Sequence, residues 1–227
     1  MIYVAGRALV WLLVRLVLGR GLVVAGRENI PRRGALVIAA NHAGTVDPAL
    51  LGVLLPRRDV HYMAKSEHFE GPRAMFFRAA HAFPILRSAA DRSHLEYALT
   101  LLRSGRAVLV FPEGSRARDG VLRQPKAGVA FLAQRASATV LPVAVWGSDA
   151  VLPRGSHRPR RSRVTVSFGE AFTLPEQGAE DRPASHREAA ELVMARIAAL
   201  LPAELRGPYG VIQPAASARG PGIEASV

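Results

Sequence analysis

From Ala35 to Ala40 the chain is apolar without interruption, and it runs directly into Asn41-His42-Ala43-Gly44-Thr45-Val46-Asp47-Pro48. So short and continuous a run suits a strand buried on both faces, as in a parallel sheet covered by helices. Asp47 followed by Pro48 is a helix-start signal. An N-cap aspartate accepts from free first-turn amides, and proline is tolerated where its missing donor has no partner. These residues predict a strand-to-helix turn. In open parallel sheets, ligand sites gather beyond the carboxyl ends of strands.

The rest of the chain repeats the pattern. Leu22–Ala25, Val60–Ala64, Phe83–Arg87, Ala107–Phe111, Val140–Trp146 and Val164–Phe168 read as further strands. Pro48–Leu55, Gly71–Ala80, a segment opened by the capping box Ser93-x-x-Glu96, Lys126–Gln134, and a segment opened by Ser185-x-x-Glu188 read as helices. A helix crossing between two such strands predicts an α/β fold with a mostly parallel central sheet flanked by helices. Pro142, inside a strand, predicts an edge or irregular position. With 227 residues, 49% of them hydrophobic, one core is expected. The expected division is an apolar N-terminal helix over 1–21, the main domain over 22–205, and a poorly ordered Gly/Pro/Ala/Ser tail over 206–227.

The N-terminal stretch Met1–Leu18 is strongly apolar but carries Arg7 and Arg15, with Arg20 close behind. A spanning helix needs about 20 mainly apolar residues, and no small-residue cleavage site follows. Three readings stay open: an in-plane membrane-surface helix with snorkelling arginines and Trp11 near the interface, a buried helix of the domain, or a span.

His42 and Asp47 are the candidate chemistry. An imidazole whose other nitrogen is held by a carboxylate can take a proton from a substrate hydroxyl near neutral pH, although Asp47 is also explained as a cap alone. The absence of cysteine excludes a thiol nucleophile, and no Gly-x-Ser-x-Gly elbow is present. No metal or cofactor is expected. A net charge of +12 points to polyanions. Without an RNA-binding aromatic motif, zinc finger or helix-turn-helix signature, anionic lipid is favoured over nucleic acid. Five arginines crowd Arg154–Arg163, a loop that could meet lipid headgroups or simply be solvated.

Four segments in order, Asn41-His42-x4-Asp47, Phe83-Pro84-Ile85-Leu86-Arg87, Phe111-Pro112-Glu113-Gly114-Ser115-Arg116 and Val140-Leu141-Pro142-Val143, resemble the blocks of the glycerolipid acyltransferase family. The likeness runs from about Gly26 to Gly169. It implies direct transfer of a fatty acyl group from acyl-CoA or acyl-carrier protein to the hydroxyl of lysophosphatidic acid or another lysophospholipid. His42 and Asp47 would be catalytic, while Arg87, Glu113, Gly114, Ser115 and Arg116 would bind the acceptor and its phosphate. Asn41 and Lys126 are further candidate contacts. The expected partners are these substrates and an anionic membrane surface, with the protein peripheral or monotopic on the cytoplasmic face. A non-catalytic basic membrane-surface protein and a nucleic-acid binder are the alternatives. The chain departs from the family in two places: His81 stands where glycine is usual, six residues before Arg87, and Ser115 where threonine is frequent.

Overall fold

A computed structural model describes residues 2–57, 59–71, 73–85, 93–117, 119–175 and 183–210. The elements run α1 (Ile2–Leu18), β1 (Leu22–Ala25), β2 (Leu36–Ala40), α2 (Asp47–Leu54), β3 (Val60–Lys65), α3 (Arg73–Ala79), β4 (Ala82–Ile85), α4 (Ser93–Arg103), β5 (Ala107–Val110), α5 (Gly128–Arg135), β6 (Thr139–Trp146), β7 (Val164–Phe168) and α6 (Pro183–Ala199). The seven strands form one sheet in the order β1-β7-β6-β2-β5-β3-β4. The five strands from β6 to β4 are mutually parallel. β7 runs against β6, and β1 runs with β7, so that edge of the sheet is reversed.

β2 lies in the middle, and its side chains divide by the pleat. Val37 and Ala39 enter a core built with α4, α5 and α6, whereas Leu36, Ile38 and Ala40 enter a second core with α1 and α2. Every β2 residue is buried, which is why that strand reads as continuous apolar sequence. Of the apolar residues Val193, Ile197, Leu200 and Leu201, the first two are buried on α6, Leu200 is partly buried and Leu201 is buried just past its end; the helix already begins at Pro183, ahead of the Ser185 signal.

Pro142 is not on an edge: β6 is flanked by β2 and β7. It sits instead where the β7 ladder stops at the Val143–Phe168 pair; beyond it Gly169 N–H donates to the Pro142 carbonyl, and Val140 bridges Phe172. The missing proline donor therefore falls at an irregularity, the other half of the sequence expectation. His81 has φ 60°, a left-handed backbone that glycine adopts at no steric cost. The same turn is made here with a side chain in place.

The N-terminal helix packs one side on the domain and leaves the other exposed. Val10, Val14, Val17 and Leu18 pack on the α2 side of the sheet, while Leu9, Leu12, Leu13 and Leu16 form an exposed stripe at i, i+3, i+4, i+7 spacing. No helix among the described residues is long and apolar enough to cross a membrane. Arg7 does not snorkel. Its guanidinium donates to the carbonyls of Gly52, Val53, Leu55 and Arg57, at 2.6 to 3.2 Å, around the C-terminal end of α2. Arg27 adds a bond to the Leu54 carbonyl at 2.8 Å. A helix end leaves carbonyls without partners, and cations there also suit the helix dipole. Arg15 lies over the Trp11 ring at 5.4 Å. Beyond α6, Arg206 Nε donates to the Leu201 carbonyl and the Tyr209 hydroxyl bonds Glu191; residues 211–227 lie outside the described residues.

Candidate active site

The site forms at the carboxyl end of β2, where three loops meet. Asn41 ends the strand and is 2% exposed. Its amide donates to the Val145 carbonyl at 2.8 Å, and its oxygen accepts the Val145 N–H at 2.7 Å. The side chain thus continues the β2–β6 pairing one residue past the strand. It braces the loop against β6.

His42 follows, and both sides of its backbone are tied to the β5 exit loop. Its N–H donates to Glu113 Oε1 at 3.0 Å, and its carbonyl accepts the Ala117 N–H at 3.0 Å. The imidazole stacks on Phe111 with centroids 4.0 Å apart and an 18° interplanar angle. Nδ1 lies 2.9 Å from Asp47 Oδ2, and the His42 side chain is 18% exposed while Asp47 is sealed. With its proton on Nδ1, the ring donates to the carboxylate and leaves Nε2 as the acceptor, the arrangement a general base requires.

Asp47 is not an N-cap. It is the first residue of α2, and no side chain caps that helix. Its Oδ2 instead receives both the His42 ring and the Gly44 N–H, the latter at 2.8 Å. Pro48 tolerates the first turn as expected, and the carboxylate is free to orient the histidine. Gly44 is required for close approach: a Cβ there would lie 2.5 Å from the Ser148 carbonyl carbon and oxygen. The turn after β2 is thereby wedged against the turn after β6.

The Glu113 segment is tied to the histidine loop. Glu113 is 8% exposed and faces the His42 amide. Burial raises its pKa above the ordinary carboxylate range, opposed by the backbone amides of His42 and Arg123. Glu113 Oε1 therefore positions the His42 backbone. Gly114 has φ 69°, and a Cβ on it would meet Lys126 Cε at 2.7 Å, so the lysine stem crosses directly over it. Ser115 is exposed, as is Lys126. Arg116 Nη1 donates to the Thr45 hydroxyl, joining this loop to the histidine loop. Arg87 lies outside the described residues.

Beside the dyad is a groove of about 230 Å³ whose walls include Gly44, Thr45, Arg116, Asp149 and Arg154. Arg154 comes from the arginine-rich β6–β7 loop, and its Nη2 donates to the Arg116 carbonyl at 3.2 Å. Sequence reading missed Phe111, Gly44 and Arg154 as site residues. Phe111 was legible only as a strand residue, and Arg154 only as one charge in a run.

The sequence profile of the Acyltransferase family matches residues 21–146. The 1-acyl-sn-glycerol-3-phosphate acyltransferase of Bacillus subtilis is 33% identical over 66% of this chain and 73% of its own length. The enzyme of the same name from Cocos nucifera is 29% identical, over 73% of this chain and 53% of its own. In three dimensions the chain resembles the 1-acyl-sn-glycerophosphate (LPA) acyltransferase PlsC of Thermotoga maritima, with a TM-score of 0.63 and 27% identity over 79% of this chain and 71% of that one. Taken with a partly exposed histidine held by a buried aspartate at the mouth of a mostly parallel sheet, the profile match over more than half of the sequence shows that this chain belongs to the acyltransferase family.

Proposed function

We propose that this acyltransferase moves a fatty acyl group from a thioester, acyl-CoA or acyl-carrier protein, to the free hydroxyl of lysophosphatidic acid, giving phosphatidic acid. The observation that carries the reading is the His42–Asp47 pair, 2.9 Å apart, with the histidine partly exposed and the residues that follow it lining a groove that includes Arg116 and Arg154. The relatives that the chain resembles are named for this reaction.

His42 Nε2 takes the proton of the acceptor hydroxyl as its oxygen bonds to the acyl carbon. Asp47 holds the ring in the productive tautomer and stabilises the imidazolium. The carbon–sulfur bond then breaks, and the thiolate leaves with the proton returned by His42. Phe111 stacks on the imidazole and Glu113 holds the His42 backbone N–H, so the ring is positioned before substrate arrives.

The substrates are amphiphiles, and the exposed leucine stripe of α1 together with the +12 charge supports work at an anionic membrane surface, on its cytoplasmic face. The functional test incubates purified protein with labelled acyl-CoA and a panel of acceptors: lysophosphatidate, glycerol 3-phosphate and other lysophospholipids. Label should pass to lysophosphatidate fastest. The His42→Ala variant should lose at least about 100-fold in turnover, the usual scale for a general base, with unchanged thermal unfolding. Full activity in that variant would end the assignment.

A further inference from the structure

We propose that Arg154 and Arg116 together seat the phosphate monoester of the acyl acceptor, and that Arg154 selects a phosphomonoester over neutral or zwitterionic headgroups. The inference rests on the acyl-transfer reading above and adds to it a residue from outside the four family blocks.

Two guanidiniums, 38 positions apart in sequence, line one groove. Arg116 is anchored by the Thr45 hydroxyl, and Arg154 by the Arg116 carbonyl. Neither forms a salt bridge with any carboxylate among the described residues. Asp149 is the acidic residue on the same wall, so two fixed positive charges face one negative charge. Adjacent like charges repel, and a bound dianion relieves that repulsion. A phosphomonoester carries about −1.5 to −2 charges near neutral pH, and its oxygens match the planar fork of a guanidinium. Uncharged or zwitterionic headgroups lack that charge.

The loop that bears Arg154 is built to hold it there. Val151 is buried, its N–H donates to the Ser148 carbonyl at 3.2 Å, and its carbonyl accepts the Arg160 N–H at 2.8 Å. A turn bond from Ser156 N–H to the Pro153 carbonyl, at 2.9 Å, brackets Arg154 on its other side. Position supports the same ligand. The groove begins at Ala43 and Gly44, the two residues after the general base. In lysophosphatidate the reacting hydroxyl is on the carbon adjacent to the one esterified by phosphate, so a phosphate in the groove keeps that hydroxyl close to His42.

The test compares wild type with Arg154→Gln and Arg154→Lys, and with Arg187→Gln as a charge-matched control on the exposed surface of α6. Steady-state kinetics are run with lysophosphatidate and with monoacylglycerol, each at saturating acyl-CoA. Protection by glycerol 3-phosphate against thermal unfolding is measured in parallel. For Arg154→Gln the KM for lysophosphatidate should rise about 10- to 100-fold, the scale of one lost charged hydrogen-bonding group. Its kcat and its KM for acyl-CoA should stay within about twofold, and any monoacylglycerol turnover should be unaffected. Arg154→Lys should recover part of the loss as a point charge without the fork. An unchanged acceptor KM, a shift matched by Arg187→Gln, or a shift in the KM for acyl-CoA would each overturn the assignment. Should the wild type acylate no lysophosphatidate, the acyl-transfer reading fails on its own. The anion seat then stands or falls on whether Arg154→Gln abolishes glycerol 3-phosphate protection.

Discussion

Replacing Gly44 by alanine tests whether the dyad depends on the contact between the turns after β2 and β6. The added methyl would sit 2.5 Å from the Ser148 carbonyl carbon and oxygen and 2.7 Å from its Oγ, where ordinary contact begins at 3.4 Å. Two of those atoms are backbone and Ser148 is fully buried, so no side chain can swing aside to make room. The turns must part by about 1 Å, and overpacking of this kind costs about 1–3 kcal/mol. In a domain of this size each kcal/mol lowers Tm by about 2–4 °C. The same displacement moves the Gly44 N–H that holds Asp47 Oδ2. A 1 Å error in a catalytic geometry is worth about 100-fold in rate. Gly44→Ala should therefore lower kcat by about two orders of magnitude while leaving KM for acyl-CoA near the wild-type value. Gly6→Ala is the control, because its added methyl meets nothing within 4 Å. The measurements are differential scanning calorimetry and an acyl-CoA consumption assay on both variants. A Gly44→Ala protein with wild-type kcat and Tm would refute the wedge.

Arg7→Ala removes a cation bonded to four carbonyls at the end of α2; urea denaturation should show a loss of about 2–4 kcal/mol, less than the summed bonds because water replaces some of them. Introducing glutamate at both Leu12 and Leu16, which are exposed by 59% and 69%, should weaken sedimentation with anionic vesicles by about 10- to 100-fold; unchanged sedimentation would remove the stripe from lipid contact. His61, stacked on His81, has its pKa lowered from 6.5 to about 4, chiefly by burial and then by the His81 and Arg106 charges. The folded state thus resists a proton that the unfolded chain accepts. Stability from this group is complete above about pH 6.5 and declines as pH falls towards 4. For a half-exposed ring the loss is about 1 kcal/mol, and His61→Gln should flatten that part of a urea-midpoint profile.

Much of the architecture is legible because burial writes itself into local composition. β2, β5 and β6 are covered on both faces and carry unbroken apolar runs, while α4 and α6 show their buried stripes in their spacing. Strand direction is different. Nothing local in Val164–Phe168 records that β7 runs against β6, since that follows from the course of the 147–163 loop. The dyad was readable as a short spacing on either side of a turn. The inward orientation of Asn41 and Glu113 was not, because their bonds span 104 and 71 positions and a polar side chain carries no mark of which distant amide it will meet. Asp47 looked like a cap for a related reason: caps and orienting carboxylates favour the same residue at the same helix start, and only the geometry distinguishes them.

The guanidinium of Arg7 gives the first helix a second job. α2 has only eight residues; Asp47 opens it, and Arg7 grips its far end from α1. Shortening the protein to improve its behaviour in solution would therefore loosen the base of the rod on which the acid is mounted. Leucines on the outer stripe can be exchanged for polar residues with that grip intact, so surface redesign, and not amputation, leaves the acid's mounting undisturbed.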